Sequence, residues 1–441
     1  MPISFRLQKI ALSFALQNKT YCMKVFKLGG ASVNSIERIK NIPKILHEFA
    51  NDNLVIIISA MGKTTNALEK VVDAFYEKNQ SKALQLFSEI KQQHIDLTKE
   101  ILLTAETCLQ DLNDLFTEVE WLLHDNPVRA YDYYYDQIVS VGELLSTRII
   151  SSYLQEHQIN NTWLDVRDFI RTDNNFRNAI IDWNNTTDKI SSLSFDNKTS
   201  NTIYITQGFI GATDENESTT LGREGSDFSA AIFANILNAN SLTIWKDVEG
   251  VMNADPKQFA DAVLIQELNF EEVIEMAFYG AQIIHPKTIK PLQNKKIPLY
   301  VKSFLDTKLA GTVIKEGKMK NLPPIIIIKK NQVLMNLITK DFSFVGDKPM
   351  NYLYSLFGSL KLKPNLIQTG AIKVQLCIDD DELKNEKLAL EASNIFNVAV
   401  QKNLTLTTIR HYNERTLNDL LSNKNILLKQ QTTEIVQVLS L

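Results

Sequence analysis

Residues 219–227 read TTLGREGSD, between an alternating apolar run (Ile203, Tyr204, Ile205) and a helix predicted over 228–237. Gly222 and Gly225 let the backbone turn where a Cβ would clash. Arg223 offers a planar, bidentate fork for a carboxylate or phosphate. Ser226 and Asp227 fall at the start of the helix, where capping side chains and unpaired N–H groups gather. The stretch reads as an anion-binding turn between a strand and a helix.

Moving outward, the same grammar recurs. Residues 25–28 form a strand ending on Gly29 and Gly30, followed by a helix marked by Ile36 and Ile39. The run LVIIIS, 54–59, is the continuous apolar strand expected when both faces are buried. Strand, glycine turn and helix in alternation predict an α/β fold with a mainly parallel sheet sandwiched by helices. Residues 66–125 carry few glycines and read as an all-helical flank or insertion; 202–212 is hairpin-like; 242–245 and 298–301 are further strands. A composition shift near 322–324 marks a boundary. Beyond it, strands at 333–338, 365–368, 373–378 and 404–409 with helices at 349–360 and 383–396 give a ferredoxin-like β-α-β-β-α-β order, followed by a helix at 416–421 and strands at 426–430 and 435–439.

The chain has 441 residues, 44% hydrophobic and 22% charged, with a formal charge of −4. That is room for two or three cores, and it gives no reason to expect nucleic acid or an anionic membrane as partner. Cys22, Cys108 and Cys377 have no CxxC spacing, so neither a disulfide framework nor a zinc site is indicated and a reducing, cytoplasmic setting is expected. No apolar run reaches the roughly 20 residues of a membrane span. Residues 1–22 are expected to be a disordered leader.

Lys27, at the end of the first strand beside Gly29 and Gly30, suits a phosphate, although a strand-end lysine is also commonly just solvated. Glu143, on a helix whose other face is apolar, could hold an ammonium group, although a glutamate at a helix start is more often there for the helix macrodipole. Asp247 suits a nucleotide contact or a turn. The tyrosine run at 131–135 reads as packing and surface. Neither a Ser-His-Asp constellation nor a His/Cys metal cluster is legible.

Seven stretches in one order, KLGGASV, SAMGKTTNAL, GELLST, LDVRDFIRTD, TQGFIG with TTLGREGSD, IWKDVEGVMNADP and YGAQIIHP, resemble aspartate kinase of the amino-acid kinase superfamily. The resemblance implies a catalytic domain over 23–311 that transfers the ATP γ-phosphoryl group to the side-chain carboxylate of L-aspartate, the entry to lysine, threonine and methionine biosynthesis. It implies that Lys27 and Asp227 are catalytic, and that Thr65, Glu143, Arg223, Gly225 and Ser226 hold aspartate. It assigns Lys27, Gly29, Gly30, Lys246, Asp247, Met252, Lys257 and Gln282 to ATP, with Mg²⁺ carried by the phosphates and few or no direct protein ligands.

Met252, Lys257 and Gln282 depart from the family's commoner aromatic, Arg and Lys, and Glu224 replaces a Gly. Residues 325–441 resemble the paired ACT regulatory domains of such kinases. The first unit, 333–378, is recognisable and the second is read as truncated. The resemblance implies a homodimer through this region and an amino-acid effector, although the turn at 369–371 lacks an acidic residue for a lysine ligand. Two other functions stay open: a related kinase acting on glutamate or another acidic metabolite, and a weakly active ACT-type amino-acid sensor.

Overall fold

The computed structural model describes residues 22–195, 201–319 and 321–441. Of the expected leader, only Cys22 lies within them. The chain divides into two compact units. The first comprises the described residues up to Val251 together with Gln266–Ile274 and Ile283–Lys318; the second holds Met252–Ile265, Glu275–Gln282 and the described residues from Met319 on. The units are therefore not two consecutive blocks. Within the second, the amide of Ile326 donates to the Asn253 carbonyl at 2.8 Å and Arg410 pairs with Glu275 at 2.9 Å, which ties both short segments to the C-terminal region.

The first unit is built on an eight-stranded sheet in the order β3-β4-β2-β1-β7-β9-β10-β8. Its strands are β1 (Met23–Leu28), β2 (Asn53–Ile58), β3 (Thr162–Trp163), β4 (Ile203–Gln207), β7 (Ser241–Lys246), β8 (Glu267–Asn269), β9 (Leu299–Ser303) and β10 (Thr312–Lys315). All pairings are parallel except β9 with β10. Every residue of β2 is buried, which accounts for its unbroken apolar run. Strand order reverses at β1, with β2 on one side and β7 on the other. Ligands in open α/β sheets bind beyond the carboxyl ends of the strands at such a switch point.

The helical stretch is no separate insertion. Helices α1 (Thr64–Tyr76), α2 (Gln80–Ile101), α3 (Glu106–His124), α4 (Tyr131–Val139) and α5 (Val141–Glu156) share one apolar core with the sheet, running from Phe26 and Ile56 through Phe75 to Phe87 and Phe116. The expected hairpin over 202–212 is replaced by two elements. β4 joins the main sheet, the chain turns at Phe209 with φ of 71°, and β5 (Ile210–Ala212) pairs with β6 (Ser218–Thr220). Helix α6 runs Gly225–Ile236, three residues earlier than predicted, so Ser226 and Asp227 sit inside its first turn.

The second unit carries a six-stranded antiparallel sheet, β12-β13-β11-β14-β16-β15. It is spanned by two 15-residue strands, β11 (Ile325–Thr339) and β14 (Phe396–Arg410), each longer than predicted. Their register shifts between Lys329 and Leu334, where Asn331 and Asn403 take positive φ. The shift divides the sheet. On one side, β12 (Leu366–Thr369) and β13 (Lys373–Asp379) with helices α7 (Asp347–Ser359) and α8 (Glu382–Ala392) enclose a core of Val333, Leu353, Leu376 and Phe396. On the other, β15 (Ile426–Gln431), β16 (Ile435–Ser440) and the single helix α9 (Glu414–Leu421) complete a second half. The second half takes one strand from the start of β11, which is why it looked short when read only from its C-terminal part.

Candidate active site

A cavity of about 540 Å³ opens beyond the carboxyl ends of β1, β2 and β7. Its wall includes Lys27, Gly30, Thr65, Glu143, Arg223, Gly225, Ser226, Asp227 and Lys246, so nine of the sequence-assigned residues meet in one place. Lys27 comes from β1 and Asp227 from the first turn of α6; Nζ lies 2.7 Å from Oδ1, with the side chains 13% and 5% exposed. Two largely desolvated charges at that distance fix each other's position. Gly30 is required by close approach: a Cβ there would lie 2.7 Å from the Ala60 carbonyl oxygen.

Glu143 sits in the first turn of α5, fully buried. Burial pushes its carboxyl up to about 8, against the opposing pull of the Ala60 amide and Lys27. Oε1 accepts from the Ala60 N–H at 3.3 Å, while Oε2 is buried with no hydrogen-bond partner among the described residues. An unpartnered carboxylate oxygen in a cavity wall is a place for a ligand cation. Thr65 stands in the first turn of α1 and Ser226 in that of α6, so two positive helix ends also face the space.

The turn before α6 is tighter than its glycines indicate. Gly222 takes φ of 76° as expected, but the second left-handed residue is Glu224, φ 55°, and not Gly225. A Cβ on Gly225 would instead meet the Phe209 ring at 2.7 Å. Exposed Arg223 is held between these two left-handed residues.

The nucleotide assignments divide. Lys246 reaches the cavity, its Nζ donating to the Ile283 carbonyl at 2.6 Å. Gly29 is packed against Lys27 Nζ, 3.3 Å from where its Cβ would stand, and does not line the cavity. Asp247 is exposed just after β7; Met252, Lys257 and Gln282 belong to the second unit, Met252 bridging to Leu264 and the other two exposed. None of these four lines the cavity. Conversely, Tyr135, Arg177, Phe209, Thr220 and Glu224 line it without having been assigned. Tyr135 belongs to the tyrosine run expected to serve packing and surface, and Arg177 lies in a polar stretch with no motif.

Residues 23–303 match the Amino acid kinase family. The chain belongs to that family. The chain is 30% identical over 378 residues to aspartokinase 1, chloroplastic, of Arabidopsis thaliana, with 82% of this chain and 64% of the relative covered. It thus spans just under two thirds of that relative's length. Lysine-sensitive aspartokinase 3 of Escherichia coli is 29% identical over 398 residues, covering 87% of this chain and 86% of the relative. Among solved structures, E. coli aspartokinase III in complex with aspartate and ADP superposes with a TM-score of 0.78 at 25% identity, over 95% of this chain and 96% of that one. Among the described residues, no helix of the kinase is long and apolar enough to cross a membrane.

Proposed function

We propose that the kinase transfers the γ-phosphoryl group of ATP to the side-chain carboxylate of L-aspartate, giving 4-phospho-L-aspartate and ADP. The observation that carries this reading is the gathering of the Lys27–Asp227 pair, buried Glu143 and Arg223 around one cavity. Arg223 grips the α-carboxylate through its bidentate fork, and Glu143 receives the α-ammonium on its unpartnered oxygen. The two helix N-termini at Thr65 and Ser226 favour the substrate's negative charge.

A side-chain carboxylate is already ionised at pH 7, so the nucleophile needs no general base. Its oxygen forms the new bond to the γ-phosphorus as the bond to the β–γ bridging oxygen breaks, and ADP carries away that electron pair. Catalysis is then positioning and charge neutralisation. Lys27 meets the charge on the transferring group, Asp227 holds Lys27 in place, and Lys246 meets the nucleotide phosphates. Mg²⁺ would be carried mainly by phosphate oxygens, where it neutralises their charge. Asp247, Met252, Lys257 and Gln282 keep a nucleotide role only as the resemblance implies it.

The C-terminal unit is proposed to join two copies and to bind an amino-acid effector. In the single chain its sheet ends in the open edge strands β12 and β15, and the E. coli relative is named lysine-sensitive. An acyl-hydroxamate assay with ATP and aspartate, glutamate or N-acetylglutamate tests the substrate, and equal rates on all three overturn the aspartate assignment. Lysine and threonine added to the same assay test the effector.

A further inference from the structure

Asp136, on α4, is completely buried and outside the cavity wall, yet it holds two of the wall's segments. Its Oδ2 accepts from the Arg177 amide at 3.0 Å and from the Thr220 amide at 2.8 Å, and its Oδ1 accepts the Thr220 hydroxyl at 2.7 Å. The next residue, Gln137, exchanges two further bonds with Ser218. The side chains of α4 thus bind the backbone of β6 much as a neighbouring strand would. On its other side Thr220 accepts from the Ala179 amide at 2.9 Å, so the segment carrying Arg177 closes over the same residue.

Both ends of this clamp lead into the site. Thr220 is three residues before Arg223, and Gly222 between them packs on Asn178, whose Oδ1 lies 2.9 Å from a Cβ built there. Arg177 takes φ of 65°, a conformation that a bulky residue keeps only when its surroundings impose it. Its guanidinium lies over Tyr135, 4.4 Å from the ring centroid, and pairs with Asp132 at 3.2 Å. Burial raises Asp136 to about 6 against the pull of these three donors, so the carboxylate is kept in place at a cost to the empty fold.

We propose that Asp136 is a positioning residue for substrate binding: it fixes the Arg177 turn and the Thr220–Arg223 strand end to α4, and so sets the geometry of the wall that grips the carboxylates of aspartate. This rests on the aspartate-kinase reading above. Substrate positioning by buried hydrogen bonds predicts a loss confined to the amino-acid side of the reaction.

The test compares Asp136→Ala, Asp136→Asn and Thr220→Val in the full chain, measuring kcat and the KM for aspartate and for ATP separately. Asp136→Ala is expected to raise the aspartate KM tenfold or more while the ATP KM stays within twofold. Asp136→Asn, which can accept both amides and donate to the hydroxyl, is expected to restore the aspartate KM to within about threefold of wild type. Thr220→Val, which loses only the hydroxyl bond, is expected to raise it two- to fivefold. It carries the test if circular dichroism shows Asp136→Ala unfolded.

Equal rises in both KM values, an aspartate KM unmoved in Asp136→Ala or Thr220→Val, or an Asn variant as impaired as Ala overturns the proposal. A wild-type enzyme that forms acyl phosphate from aspartate while the variants behave alike refutes the positioning role alone. One that forms none refutes the aspartate reading first.

Discussion

Lys27 Nζ and Asp227 Oδ1 are 2.7 Å apart, one at the end of the central strand β1 and the other in the first turn of α6. In the proposed reaction Lys27 meets the charge on the transferring phosphoryl group from the position in which Asp227 holds it. Lys27→Ala and Asp227→Ala are each expected to lower kcat at least 100-fold, on the order of 3 kcal/mol in the barrier. Because the two act as a unit, the double variant should lose far less than the product of the single losses. Steady-state turnover in a coupled ADP assay measures both, and near-normal turnover in either single variant would contradict the assigned roles.

Arg223 is exposed and lies between two left-handed residues, Gly222 and Glu224. Arg223→Ala is expected to raise the aspartate KM tenfold or more with little change in the KM for ATP. Arg223→Lys should recover only part of this, because a point charge cannot reproduce the two-pronged contact. An aspartate KM unchanged in the alanine variant would remove Arg223 from the carboxylate site.

Glu143 gives the site a pH dependence whose sign can be worked out. Its carboxyl, raised by burial to about 8 from an ordinary 4.5, holds a proton more tightly in the empty fold than in the unfolded chain. Its contribution to the stability of the empty enzyme therefore falls as pH rises from about 4.5 to about 8. An ammonium ligand favours the ionised form, so aspartate should bind more tightly as pH rises towards 8 and should release a proton on binding. Calorimetry in buffers of differing ionisation enthalpy reads that proton directly. Glu143→Gln should abolish the release and weaken binding, and proton uptake by the wild type would reverse the assignment.

How much of this was legible in the sequence depended on how local each constraint was. Strand β2 was readable because all of its residues are buried, and the Lys27, Gly30 and 219–227 segments because close backbone approach restricts which residues fit. The β6 strand was not readable: three residues, Ser218–Thr220, take their partners from β5 and from the side chains of Asp136 and Gln137, more than 80 positions away. Arg177 was missed for the same reason, since its left-handed turn is imposed by a distant carboxylate and not by its neighbours. The second half of the C-terminal sheet was underestimated because one of its strands lies at the start of β11, about 80 residues before its partner segment in β14.

Glu224 is the residue where chain geometry and residue type disagree most plainly. Its φ of 55° suits glycine, the residue that the resemblance to aspartate kinases implies at this position. A left-handed residue with a Cβ costs about 1–2 kcal/mol, while the added freedom of glycine in the unfolded chain returns about 0.5–1 kcal/mol of that. Oε2 of Glu224 is also buried with no hydrogen-bond partner among the described residues, a further cost that glycine removes. Glu224→Gly is therefore expected to stabilise the enzyme by about 1 kcal/mol, seen as a rise of about 1–2 °C in Tm. The same change removes a negative charge beside Arg223 in the wall proposed to hold the carboxylates of aspartate, so the aspartate KM should hold or fall. Differential scanning calorimetry and steady-state kinetics on the one variant separate the alternatives: a higher Tm with an unraised KM fits a strained residue, whereas a lower Tm together with a raised aspartate KM would show that the Glu224 carboxylate itself holds part of the substrate.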